Sequence, residues 1–241
     1  MTVILEAEHL TKSFGGVRVV DDLSVSLNQG EALGVVGPNG AGKTTMLNLL
    51  TGTVHTDEGR VTFAGVDISK TPPEERCHAG LGRTFQIPRP FEGMTVFENV
   101  LVGGTYGRNR SEKASYEPCA LALHRVGLLP RANVLAESLG LLERKRLELA
   151  RALATEPKVL LLDEIAGGLT ENEVQSLIET IKQLRAEGVS IIWIEHIVHA
   201  LLAVVDRLMA IDFGRLIAEG DPNEVINSPQ VRDVYMGSMA P

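Results

Sequence analysis

The chain has 241 residues, 44% of them hydrophobic and 22% charged, with a formal net charge of −8. That length and balance fit one large globular domain, or a core with a subdomain, that buries a sizeable interior. The acidic balance argues against a nucleic-acid partner, which calls for a basic face, and no apolar run approaches the ~20 residues of a membrane span.

Residues 2–10 and 17–29 are predicted to be strands, because both are rich in β-branched residues and the second partly alternates. A short apolar run, 31–37, bounded by Gly30, reads as a buried strand. It leads into a predicted helix from Lys43 to Thr51 that ends near Gly52. Gly59–Gly65 alternates and closes at a turn. Residues 95–135 change character: helical segments broken by Gly103, Gly104, Gly107 and Pro118 predict an inserted helical subdomain. Arg144–Thr155 is a predicted helix closed by Pro157, and Lys158–Asp163 a buried strand. Glu171–Glu187 is a predicted amphipathic helix. Val174, Leu177, Ile178, Ile181 and Leu184 share its one apolar face, Gly188 is its stop, and Thr170–Glu173 matches a capping box at its start. Val189–Ile194 is another buried strand, and His196–Val205 a helix. A strand pair follows, 207–212 and 215–219, and then a helix opening on Asp221-Pro222. Alternating strands and helices predict an α/β fold with a mainly parallel sheet. The early strands predict an antiparallel layer beside it. The expected organisation is one domain over 1–241, with a core of 1–94 and 156–241 and a helical subdomain over 95–155.

Two short patterns carry chemistry. Gly37-Pro38-Asn39-Gly40-Ala41-Gly42-Lys43-Thr44-Thr45 fits the phosphate-binding loop G-x-x-x-x-G-K-[ST], set between a strand and a helix. Its glycines let backbone N–H groups point at a triphosphate, and the helix dipole assists. Lys43 reaches the β- and γ-phosphates, and the Thr44 hydroxyl ligates Mg²⁺. The second pattern is Val159–Asp163 followed by Glu164, where four apolar residues run into two carboxylates. Asp163 falls at the C-terminal edge of its strand, where open α/β sheets place ligands, and is expected to hold Mg²⁺. Glu164, one position further, is expected to polarise the attacking water, a general-base role worth roughly 10²–10⁴-fold in rate.

With these motifs in place the chain resembles, nearly end to end, the ATP-binding subunits of ABC transporters. The resemblance adds Gln86, in Arg83-Thr-Phe-Gln86, as a Mg²⁺ ligand or water-orienting amide. His196 becomes a γ-phosphate contact and Phe14 an aromatic that stacks on adenine. It implies ATP hydrolysis with ATP and Mg²⁺ as cofactors. The implied partners are a second ATP-binding subunit and transmembrane permease subunits, with a periplasmic solute-binding protein indirectly, at the cytoplasmic face of the inner membrane. The strings Gly82–Phe91 and Met94–Val102 resemble the branched-chain amino-acid importer branch, and so does the Phe213–Gly220 tail. A lipid or lipopolysaccharide exporter shares the same motifs and is the alternative. A soluble ABC ATPase of translation or repair predicts paired cassettes or a coiled-coil insert, and the chain carries neither.

One motif departs from the family. Where the family carries Leu-Ser-Gly-Gly-Gln, aligning Arg146–Arg151 puts Leu139-Gly-Leu-Leu-Glu143. A hydroxyl is lost and a negative charge gained, which Arg144 or Lys145 is expected to offset. Cys77 and Cys119, with no leader recognised, are expected to be reduced thiols. The five histidines other than His196 match no motif.

Overall fold

The computed structural model describes residues 2–237; residue 1 and residues 238–241, the ends of the expected domain, lie outside it. In chain order the elements are β1 (Val3–Phe14), β2 (Val17–Asn28), β3 (Ala32–Val36), α1 (Lys43–Thr51), β4 (Glu58–Phe63), β5 (Val66–Asp67), α2 (Pro73–Ala79) and β6 (Leu81–Arg83). Then come α3 (Val96–Tyr106), α4 (Glu112–Arg125), α5 (Leu141–Leu153), β7 (Val159–Asp163), α6 (Glu171–Ala186) and β8 (Ser190–Ile194). The chain closes with α7 (Val198–Leu202), β9 (Arg207–Asp212), β10 (Arg215–Gly220), α8 (Pro222–Asn227) and α9 (Pro229–Gly237). These elements group into two compact units, one of residues up to 73 together with those from 190 on, the other of residues 74–189.

The first unit holds two sheets. One is antiparallel, in the order β2-β1-β4-β5. In the other, β3 lies between β8 and β9, parallel to both, and β10 adds an antiparallel edge beside β9. Both expected sheet types, the antiparallel layer and the parallel core, are therefore present. Every residue of β3 and of β8 is buried. That explains why their sequences are continuous apolar runs rather than alternations. The parallel strands put the C-terminal ends of β3, β8 and β9 on one edge, from which the phosphate loop, His196 and the Phe213-Gly214 turn emerge.

The second unit pairs β6 with β7 in parallel and carries α3–α6. α6 buries the five side chains of the predicted apolar stripe. At its start the Thr170 N–H and hydroxyl donate to the Glu173 carboxylate (2.8 and 2.7 Å). At its end Gly188 takes φ +91°, as a helix stop requires.

Three local expectations change. Gly103, Gly104 and Pro118 do not break helices. The glycines sit inside α3, where a Cβ on Gly103 would come within 2.5 Å of the Arg151 carbonyl and one on Gly104 within 2.6 Å of Cys119 Sγ. They are there for close helix approach. Pro118 lies inside α4, where it removes one helical hydrogen bond while Ser115, Cys119, Ala122 and Leu123 stay packed. α5 begins at Leu141, three residues earlier than expected. α7 is one short turn, not a helix over 196–205, because the His196 and Ile197 N–H groups turn to the Glu195 carboxylate (3.1 and 3.5 Å). α2 and the three-residue β6 had no legible pattern.

Candidate functional site

In the first unit the loop after β3 is built for close backbone packing. Gly42 has φ +98° and ψ +2°, and a Cβ there would sit 2.6 Å from the Val19 carbonyl. A Cβ on Gly37 would overlap the Ile211 carbonyl. The loop is therefore pressed between β2 and the end of β9. Gly214, in the β9–β10 turn, donates its N–H to the Ala41 carbonyl (3.0 Å), and its own carbonyl accepts from Asp21 N–H (3.0 Å). Asp21 is held in turn by Arg215 (2.5 Å) and Arg18 (2.9 Å). Those two hydrogen bonds keep its carboxyl below the usual range.

Lys43 is buried, with its ammonium on the Gly37 and Pro38 carbonyls (2.7 and 2.9 Å). Asn39, Gly40 and Thr44 are exposed, with Thr45 half-buried behind them. Phe14 ends β1 and is 48% exposed, with Lys12 Nζ 5.6 Å from its ring centroid. Lys12 is tied to Asp57 (2.6 Å). His196 lies beyond β8, 58% exposed, with Nδ1 3.6 Å from Glu195 Oε2. Phe14 and His196 thus belong to the same unit as the loop, each steadied by its own neighbour. An exposed aromatic face and an exposed imidazole are open to a ligand in a way that core residues are not.

In the second unit Asp163 and Glu164 close β7. Asp163 is buried and pairs with Arg83 Nη2 (3.0 Å), the last residue of β6, and its N–H points at the Thr84 hydroxyl (3.4 Å). Glu164 has φ +46°, uncommon for a residue with a Cβ. Its side chain accepts a 2.5 Å hydrogen bond from Gln86 Nε2. The structure therefore brings Gln86 and Glu164 together, in the unit that also holds Asp163. Arg83 and Glu195 are site residues the motif reading passed over. Glu195 follows the apolar run of β8, and that position was the available signal; Arg83 ends the three-residue β6, which no local pattern marks.

The departed motif has a definite geometry. Gly140 caps α5 with φ −68°, a conformation any residue adopts, and open space surrounds it. Its N–H donates to Glu143 (3.2 Å), and Arg131 lies 3.6 Å from the same carboxylate. The offsetting cation is Arg131. Arg144 instead donates to the Leu139 and Glu137 carbonyls (2.9 and 2.8 Å), and Lys145 points to the Glu164 carbonyl (3.5 Å).

The residues present fit a nucleotide with Mg²⁺. A glycine cradle that a Cβ would fill, a buried lysine and an exposed threonine suit a polyphosphate. Among the described residues no group of three or more His, Cys, Asp or Glu stands ready to hold a metal ion. That is compatible with Mg²⁺, which takes one or two protein ligands beside phosphate and water.

Residues 20–167 match the ABC transporter family model, and residues 215–241 match that of the branched-chain amino acid ATP-binding cassette transporters. The chain belongs to the ABC transporter ATP-binding family and is an ABC ATPase. It is 35% identical to the high-affinity branched-chain amino acid transport ATP-binding protein LivG of Salmonella typhimurium, over 97% of this chain and 98% of that protein. It is also 35% identical to the lipopolysaccharide export system ATP-binding protein LptB of Haemophilus influenzae, over 97% of each. Among solved structures, the ADP conformation of an ATP-binding cassette of an ABC transporter superposes with a TM-score of 0.90 at 32% identity, covering 98% of this chain and all of that one. Among the described residues no helix is long and apolar enough to cross a membrane.

Proposed function

We propose that this chain is the motor subunit of an importer for branched-chain or related amino acids, working at the cytoplasmic face of the inner membrane. The observation that carries this reading is the match of residues 215–241 to the branched-chain family model, on a chain similar to LivG along its whole length. The lipopolysaccharide-export reading rests on LptB, which is equally identical. The tail match favours import.

The family's motif order assigns the P-loop residues 37–45 and the group Gln86, Asp163 and Glu164 to one MgATP. Bound Mg²⁺ neutralises phosphate charge as the terminal bond breaks. Thr44, Asp163 and Gln86 are its proposed holders. Residues 37–42 offer N–H groups to the phosphates, Lys43 adds its charge, and Phe14 offers its ring to adenine. Glu164 accepts a proton from the attacking water, with Gln86 holding its carboxylate in place, and His196 steadies the terminal phosphate. A second ATP-binding subunit completes the working pair. Transmembrane permease subunits receive its movement, with a periplasmic solute-binding protein upstream. Arg89, Pro90 and Phe91 form the proposed permease contact; Phe85, Ile87 and Phe91 of the same segment are 53%, 66% and 45% exposed.

The test is uptake of radiolabelled leucine by cells lacking the chain, complemented with wild-type or Glu164→Gln. Wild-type restores uptake. The variant binds ATP, turns it over at least about 100-fold more slowly and does not restore uptake. Normal leucine uptake without the chain overturns the import reading. Wild-type turnover by Glu164→Gln removes Glu164 from its role.

A further inference from the structure

The 84–91 segment is irregular, yet its far end is gripped at the main chain from α3 and α5. Asn99, on α3, is fully buried. Its Oδ1 accepts the Phe91 N–H (2.8 Å), and its Nδ2 donates to the Phe91 carbonyl (3.0 Å). The same carbonyl accepts the Met94 N–H (3.0 Å), which closes a turn over 91–94. Arg151, on α5, donates through Nη1 to the Arg89 carbonyl (3.0 Å), and Glu148 Oε2 holds the same nitrogen (3.1 Å). The Arg151 guanidinium also lies 5.1 Å from the Phe91 ring centroid. The close approach at Gly103 sets α3 against the Arg151 carbonyl, so the two anchoring helices hold each other as well as the segment.

Asparagine is a poor choice inside a helix unless its amide is used elsewhere. The Asn99 amide does turn back to the Thr95 carbonyl (2.9 Å). The start of α3 does not depend on that bond, because Thr95 and Glu98 already cap each other there (2.7 and 3.2 Å). The use that remains is the grip on Phe91. These anchors take main-chain groups at 89 and 91 and leave the side chains of Ile87, Arg89 and Phe91 exposed. Apolar side chains held out on a stiffened segment suit an interface, since a fixed surface loses less freedom on binding.

We propose that Asn99, with Arg151, is a positioning residue for the permease contact. It fixes the Phe91 main chain so that Ile87, Arg89 and Phe91 meet the permease as a preformed surface. The inference rests on the contact proposed above for Arg89, Pro90 and Phe91, and on neither the solute nor the direction of transport. It adds that the docking shape of the segment is set from α3 and α5 before the permease arrives.

The experiment uses the full chain, tagged, with Asn99→Leu, Arg151→Met and Arg151→Lys. It measures hydrogen exchange at the Phe91 N–H, ATP turnover by the purified chain, and the share of the chain recovered with the membranes of cells lacking the native copy. Asn99→Leu is expected to speed Phe91 exchange by about tenfold or more, because a buried N–H loses its acceptor. Asn99→Leu and Arg151→Met should each lower membrane recovery by about fivefold or more, with kcat and KM for ATP within about twofold of wild type. Arg151→Lys keeps a donor for the Arg89 carbonyl and a cation near the Phe91 ring, and should restore most of the recovery. If Asn99→Leu does not fold, Arg151→Met decides by the same membrane reading. Three results would overturn the proposal. They are wild-type Phe91 exchange in Asn99→Leu, wild-type membrane recovery in these variants, and kcat falling in step with recovery, the signature of general loosening. Failure of the contact reading is separate. Arg89→Glu leaves every anchor in place, and its recovery at the wild-type level would remove the permease from this surface whatever Phe91 exchange shows.

Discussion

The Arg83–Asp163 pair allows a quantitative test of how the second unit holds its carboxylates. The two side chains are 7% and 4% exposed and meet at 3.0 Å across the ends of β6 and β7. At an effective dielectric near 20, opposite charges at that distance attract by about 5–6 kcal/mol. Desolvation of both ions offsets most of this, so the pair as a whole stabilises little compared with apolar residues. Removing one partner is different. Arg83→Met removes the cation that meets this buried carboxylate, and breaking a buried pair costs about 3–5 kcal/mol. In a chain of this size that corresponds to roughly 6–20 °C in Tm. Asp163→Asn should cost less, because an amide oxygen still accepts from the guanidinium. The double variant should recover much of the loss, giving a coupling energy of about 2–4 kcal/mol, within the range seen for residues in one network. Thermal unfolding without nucleotide, on wild-type, both single variants and the double variant, measures it free of ligand linkage. A coupling below about 1 kcal/mol would refute the reasoning, since it would mean that solvent screens the pair as at a surface.

Two other expectations come from the first unit. Gly42→Ala adds a Cβ 2.6 Å from a backbone carbonyl at φ +98°, whereas Gly40→Ala at φ +83° meets open space. Denaturant unfolding should show Gly40→Ala losing about 1–2 kcal/mol of backbone strain energy and Gly42→Ala clearly more, with fluorescent-nucleotide affinity falling further in Gly42→Ala; equal losses would mean the loop is not pressed on β2. Glu31 is partly buried, which opposes its charge, but Arg207 (2.7 Å) and the Asn28 N–H (2.7 Å) prevail and hold its carboxyl below the usual range. A depressed carboxyl contributes stability that is present above its unfolded pKa and is lost as pH falls through the folded value. Tm should therefore drop on acidification below about pH 4.5, and Glu31→Gln should flatten that drop; an unchanged acid limb would remove Glu31 from it.

Features that depend on near neighbours in the chain are legible from the residues alone. The P-loop pattern, the apolar runs of β3, β7 and β8, the α6 stripe with its capping box, and Gly188 as its stop are all written within a few residues. Periodicity, capping and positive-φ glycines act at that range. Which distant groups meet is settled by the packing of the folded chain. Arg83 finds Asp163 eighty residues away, and Gly42 needs its bare Cα because Val19 lies against it. Gly103 belongs inside a helix because Arg151 needs the room, and Asn99 is used because Phe91 arrives at it. These are long-range pairings of buried charge and close backbone contact. Their partners are chosen by how strands and helices pack, so no local pattern announces them.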